Sequence, residues 1–168
     1  MNAKISKKIA VYPGAFDPVT LGHCDIIKRA AYTFDRVVVA VAQDSRKSTM
    51  FSTEDRFFML CGEVEVMQLP NVEVAIFGGL LVDFVKSQGA VVIVRGLRAV
   101  SDFEYEFKMA YINHKLNREV DTVFMPATED GHFISSSLVK ELARLGGSLS
   151  GLVSDKVAEV IQKRIRGA

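Results

Sequence analysis

Five short runs rich in valine, isoleucine and other apolar residues, at Lys8–Tyr12, Arg36–Ala42, Val72–Phe77, Ala90–Arg95 and Asp121–Pro126, are separated by stretches of helical periodicity. A strand that is apolar along nearly its whole length, rather than at alternate positions, is covered on both faces. Alternating strands and helices provide that cover through right-handed crossovers. The pattern therefore predicts an α/β fold: a doubly wound, Rossmann-like, five-stranded parallel sheet with helices on both faces, formed by residues 1–168 as one domain. Helices are predicted at Gly22–Phe34, where Ile26, Ile27, Ala30, Ala31 and Phe34 make one apolar stripe, and after the N-cap cluster Ser52-Thr53-Glu54-Asp55. Further helices are predicted at Leu80–Gln88, Ser101–Leu116, Ser136–Leu145 and Ser154–Arg164, with Gly89 and Gly146-Gly147 as stops.

Composition narrows the function classes. With 168 residues and a formal net charge of +1, the chain is long enough for one substantial core and too evenly charged to be a general nucleic-acid coat, so any basic site is local. Cys24 and Cys61 are too few for a disulfide framework or a paired-cysteine metal site, which makes a reducing compartment the default. No apolar run approaches the ~20 residues that span a bilayer, and no secretory signal opens the chain; the expectation is a cytoplasmic protein.

In sheets of this kind ligands bind beyond the carboxyl ends of the strands. The loop after the first run reads Tyr12-Pro13-Gly14-Ala15-Phe16-Asp17-Pro18-Val19-Thr20-Leu21-Gly22-His23. A strand, a tight Gly/Pro/Asp turn and a helix start predicted at Gly22-His23 present unpaired N–H groups and partial positive charge to an anion. An imidazole in the first turn adds chemistry that a simple anion hole lacks, although a lone histidine at a helix start is more often a surface residue. Cys24, its neighbour, points about 100° away on a helix and is read as packing, not as a nucleophile.

Other strand ends carry similar groups. Arg95-Gly96-Leu97-Arg98 puts two guanidinium groups three residues apart at the end of an apolar strand, matching two phosphates or, equally, ion pairs with Asp102, Glu104 and Glu106. Phe133-Ile134-Ser135-Ser136-Ser137 crowds hydroxyls at a helix start, as a second phosphate cradle or as ordinary capping. Lys47 and Gly78–Leu81 follow the second and third runs; His114 and His132 suggest no role by themselves.

The string Gly14-x-Phe16-Asp17-Pro18-x-Thr20-x-Gly22-His23 resembles the signature of the nucleotidyltransferase superfamily, whose members transfer a nucleoside monophosphate from a triphosphate and release pyrophosphate. With the Arg95–Glu106 block and the Phe133–Glu141 block in this order, the chain resembles the bacterial phosphopantetheine adenylyltransferases from about Ile9 to beyond Leu145. The resemblance implies conversion of ATP and 4′-phosphopantetheine to dephospho-coenzyme A and pyrophosphate, the penultimate step of coenzyme A synthesis. It implies that His23 stabilises the transition state at the α-phosphate. ATP would be held by Ala15, Phe16, His23, Gly96, Leu97, Arg98, Glu106, Gly131, His132, Phe133, Ile134, Ser135, Ser136 and Ser137. Phosphopantetheine would meet Ala15, Lys47, Leu81, Arg95, Asn113 and Glu141. Mg²⁺ is expected on the ATP phosphates without ligands from the chain, and the expected partners are the two substrates, dephospho-coenzyme A, coenzyme A as product-side ligand or inhibitor, and further copies of the chain in a homohexamer, with neither nucleic acid nor membrane. One position departs from the family: Ala15 stands where a hydroxyl residue, most often threonine, is usual. The alternatives are a sibling nucleotidyltransferase acting on nicotinamide mononucleotide or a sugar or glycerol phosphate, which the Arg95–Glu106 block does not fit, and an inactive relative that senses adenine nucleotides or coenzyme A.

Overall fold

The computed structural model describes residues 8–43, 49–98, 100–128 and 134–167, with the backbone alone at Val100 and Ser101. Among them, β1 (Ile9–Gly14), β2 (Arg36–Ala42), β3 (Val72–Phe77), β4 (Val92–Leu97) and β5 (Asp121–Pro126) alternate with α1 (Leu21–Thr33), α2 (Thr53–Met67), α3 (Leu81–Ser87) and α4 (Val100–Leu116). Two helices, α5 (Ser136–Arg144) and α6 (Asp155–Arg166), follow β5. All strand neighbours are parallel, in the order β3-β2-β1-β4-β5. The chain winds outward from β1 to β3, then returns to the other side of β1, so the connection order reverses between β1 and β4. That is where a doubly wound sheet opens a crevice at its carboxyl edge.

Strand parity decides which helices cover which face. Ala10, Tyr12, Val37, Val39, Val41 and Val94 join a core with α1, α2, α5 and α6, through Ile27, Leu60, Val139 and Ile161. Val11, Val38, Ala40 and Ile93 point the other way, onto Val85 of α3 and onto Ala90 and Val120. Cover on both faces is complete at the centre of the sheet and partial at its edges, where Ile76 and Val123 are exposed.

Two strands begin or end differently from their sequence pattern. β1 runs on through Pro13 and Gly14, because both residues keep their register with Ala40 and Val41 of β2. On its other side the ladder with β4 stops at Val11↔Ile93, so the proline, which has no N–H, sits where the two strands have already parted. β4 begins at Val92 instead of Ala90, whose N–H turns back to Val85 at 3.1 Å, and it extends to Leu97 by pairing Gly96 with Met125. The predicted helix stops hold: Gly89 and Gly146 lie at φ 65° and 74°, in the left-handed region that favours glycine.

Candidate active site

The β1–α1 loop is the floor of the crevice. Phe16, Asp17, Val19 and Thr20 are buried, whereas Ala15 is exposed. Phe16 adopts φ 48°, and its ring lies over Gly14 so closely that a Cβ there would come within 3.0 Å of it. A side chain at that position would need the ring to shift by a few tenths of an ångström. The ring also meets Tyr12 edge-on at 5.5 Å and His23 at 5.0 Å between centroids, which supports the imidazole from below. Because Phe16 as a whole is 1% exposed, its ring is closed to a nucleotide.

The helix starts one residue earlier than the pattern suggested, at Leu21, because Thr20 is its N-cap: the Thr20 hydroxyl accepts the His23 N–H, and the His23 ring accepts the Thr20 N–H. The second bond, 3.0 Å long, makes Nδ1 an acceptor and assigns the ring proton to Nε2. Burial first, then the positive charges of Arg98 and Arg95, pulls the His23 pKa down to about 4. The residue is a neutral imidazole at pH 7 with Nε2–H as its donor. Cys24 faces inward, its Sγ 3.7 Å from Glu63, and burial together with that carboxylate pushes its thiol up to about 12. It is a packed, protonated thiol, as expected.

The loop is anchored by Asp17, a signature position to which the sequence assigned no role, and by Lys140, Arg56 and Arg29, which the sequence reading did not single out. The Asp17 carboxylate accepts the N–H groups of Met50 and Phe51 at 3.0 Å each and the Lys140 ammonium at 2.6 Å, tying the loop to the entrance of α2 and to α5. Arg56, fully buried on α2, donates to the carbonyls of Ala15 and Ala42. Arg29 donates to Pro126 O at 2.6 Å and so ties α1 to the end of β5. The available signal for Arg56 was its spacing with Leu60 and Glu63, which puts all three on the buried face of α2. Nothing local marked Lys140.

Where β1 and β4 part, Arg95 bridges the gap. Its Nη1 donates to Pro13 O at 2.6 Å, while Nε and Nη2 grip both oxygens of Glu106 at 2.7 and 2.6 Å. Burial alone would lower the Arg95 pKa, but the Glu106 carboxylate outweighs it and the net shift is upward. Arg98, exposed at the mouth, donates to Asp102 at 3.1 Å. The ion pairs that sequence offered as an alternative to phosphate binding are thus formed, and Arg95, matched to phosphopantetheine, is joined to Glu106, matched to ATP. Seven residues on from Glu106, about 10 Å along α4 at 1.5 Å per residue, Asn113 lies on the same buried face.

The serine cluster divides its work. Ser135 caps α5 by accepting the Leu138 N–H at 3.1 Å, and Ser136 donates to Pro18 O at 2.8 Å, binding α5 to the floor loop. Ser137 is exposed, and Ile134 is buried. Gly96 and Leu97 end β4 beside the crevice, and Leu81 opens α3 after β3. Glu141 is exposed on α5, away from the Lys140–Asp17 contact made by its neighbour. Lys47, Gly131, His132 and Phe133 lie outside the described residues.

Residues 11–142 match the family described as cytidylyltransferase-like. A phosphopantetheine adenylyltransferase of Moorella thermoacetica is 52% identical over 157 residues, which are 94% of this chain and 97% of that one. One from Bdellovibrio bacteriovorus is 52% identical over 159 residues, 95% of this chain and 98% of its own length, and one from the Wolbachia of Brugia malayi is 53% identical over 150 residues, 89% of each. The chain belongs to the phosphopantetheine adenylyltransferase family. The fold is also similar to a crystal structure of a nicotinate-nucleotide adenylyltransferase candidate from Vibrio parahaemolyticus, with a TM-score of 0.72 over 96% of this chain and 97% of that one, at 19% identity. That likeness is one of fold. As a phosphopantetheine adenylyltransferase the chain is an enzyme, with the superfamily's Gly14–His23 string at the switch point of its sheet. Among the described residues, no helix is long and apolar enough to cross a membrane.

Proposed function

We propose that the crevice between β1 and β4 transfers the adenylyl group of ATP to the phosphate of 4′-phosphopantetheine, giving dephospho-coenzyme A and pyrophosphate. The observation that carries this reading is His23, neutral, held at Nδ1 by its own helix cap and left with one donor at the N-terminus of α1. A phosphate monoester is already nucleophilic at neutral pH, so no general base is needed. Its oxygen attacks the α-phosphorus, the bond from that phosphorus to the bridging oxygen of the β-phosphate breaks, and pyrophosphate departs. Catalysis is then a matter of positioning and charge stabilisation. His23 Nε2–H, the N–H groups at the start of α1 and Arg98 serve the transferring phosphate. Ala15 and Phe16, Gly96 and Leu97, and the α5 start at Ile134–Ser137 serve ATP. Arg95, with Leu81, Asn113, Glu141 and Lys47, serves phosphopantetheine, and Ala15 meets both substrates through its backbone. Glu106 holds Arg95 while it faces the nucleotide.

Mg²⁺ would be held by the ATP phosphates, where it would screen their charge. Asp17 and Glu106, the buried carboxylates nearest the crevice, are both committed to cationic side chains, and no group of three His, Cys, Asp or Glu side chains is placed to hold a metal among the described residues. A homohexamer is supported by α4, which exposes Tyr105, Phe107, Tyr111, Ile112 and Leu116 and stacks Phe103 on Phe107 at 5.6 Å. Light scattering at micromolar concentration tests it, and a mass near 18.5 kDa would refute it. The reaction itself is tested by pyrophosphate release on mixing the protein with ATP, Mg²⁺ and 4′-phosphopantetheine. Release with nicotinamide mononucleotide instead, or with neither acceptor, would overturn the reading.

A further inference from the structure

We infer that Arg56 is a positioning residue for adenylyl transfer, acting through the Ala15–Phe16 peptide. The inference rests on the reaction proposed above. Arg56 is 1% exposed, and the partners of its guanidinium are three carbonyls and a hydroxyl: Nη1 donates to Ala15 O at 2.7 Å and Ala42 O at 3.0 Å, Nε to Ser52 O at 3.3 Å, and Nη2 to Thr53 Oγ1 at 3.0 Å. Four of the five N–H groups are thereby used, on the ends of three elements: the turn after β1, the last residue of β2 and the N-cap of α2. A buried cation carries a desolvation cost, and an apolar side chain would serve stability alone at least as well.

The bond to Ala15 has a directional consequence. In a trans peptide the C=O and the following N–H point in opposite directions. Holding the Ala15 carbonyl on the buried guanidinium fixes the Phe16 N–H on the opposite side of that peptide, beside the exposed Ala15 and within a residue that is itself 1% exposed. That N–H has no acceptor among the described residues. The charge on Arg56 also polarises the peptide and strengthens the donor. The left-handed conformation of Phe16 is held by the same grip on one side and by its ring packed between Gly14 and His23 on the other. Arg56 thus aims a backbone donor at the α-phosphate without touching the nucleotide.

The test compares Arg56→Lys and Arg56→Gln with the unaltered enzyme in steady-state kinetics, in ATP binding by calorimetry, in thermal unfolding, and with the two diastereomers of ATPαS. A donor aimed at a non-bridging α-oxygen acts mainly in the transition state, so Arg56→Gln is expected to lower kcat about 100-fold while the Kd for ATP changes less than about threefold. The rate preference between the diastereomers should collapse in step, and Arg56→Lys, which can still reach Ala15 O, should recover part of both. If Arg56→Gln fails to fold, Thr53→Val, which removes only the Nη2 partner, replaces it, with a smaller fall in kcat at unchanged Kd. Variants with normal kcat and diastereomer preference but a lowered melting temperature would reduce Arg56 to a structural residue and overturn the inference. Failure of the unaltered enzyme to turn over phosphopantetheine would instead overturn the functional reading.

Discussion

Arg95 and Glu106 are expected to behave as one unit although they were matched to different substrates. The pair is bidentate, at 2.7 and 2.6 Å, with side chains 29% and 11% exposed. Replacing Arg95 by Met strands a carboxylate with little access to water. Losing one partner of a fully buried pair costs ~3–5 kcal/mol, and the partly open Arg95 side reduces that to about 2–3 kcal/mol. Glu106→Gln is milder, about 1–2 kcal/mol, because the guanidinium keeps Pro13 O and can be hydrated. The double variant Arg95→Met/Glu106→Leu should cost less than the sum of its singles, with a coupling of about 2 kcal/mol. Urea unfolding at one fixed protein concentration measures all of these, a fixed concentration being necessary for an oligomer. In parallel, both single variants should raise the KM for ATP and for phosphopantetheine, since each change releases the partner's side chain. Additivity within about 0.5 kcal/mol would refute the argument, as would an Arg95 variant that alters the KM for phosphopantetheine alone.

His23→Ala should lower kcat about 100-fold or more with little change in ATP affinity, as steady-state kinetics and calorimetry will show; near-normal turnover would leave His23 as a cap and nothing more. The same histidine predicts acid sensitivity. Its pKa falls from 6.5 to about 4 on folding, so between these values the unfolded chain binds the proton that the folded chain refuses. Stability is therefore fully present above pH 6.5 and declines toward pH 4, by roughly 2–3 kcal/mol, and in urea titrations across that range His23→Gln should flatten the slope. Ala15→Thr adds its side chain at an exposed position whose carbonyl is already held by Arg56, so folding should be unaffected. Restoring the hydroxyl should improve kcat/KM by up to about tenfold; a marked loss would mean that the pocket has adapted to alanine.

Much of the fold was legible because its signals are local. The runs at Arg36–Ala42, Val72–Phe77 and Asp121–Pro126 are strands with those limits, and Ser52, Ser135 and Ser154 cap the helices that follow them. The floor loop was legible for the same reason: strand, turn, cap and imidazole are consecutive, so the string from Gly14 to His23 describes a place as well as a composition. Periodicity and caps report on residues within about one helical turn of each other. The strand order, the parting of β1 from β4 at Pro13, and the partners of each charged group depend instead on how distant segments register. Lys140 reaches Asp17 across 123 positions and Arg56 reaches Ala15 across 41, and neither contact leaves a trace in spacing. Even within one motif, packing chose among equals: of three consecutive serines, one caps α5, one holds Pro18, and one is exposed. Sequence determined the groups available to the crevice. Tertiary structure decided which of them are committed to one another, because a hydrogen bond between remote side chains exists only once the sheet has set their distance and orientation.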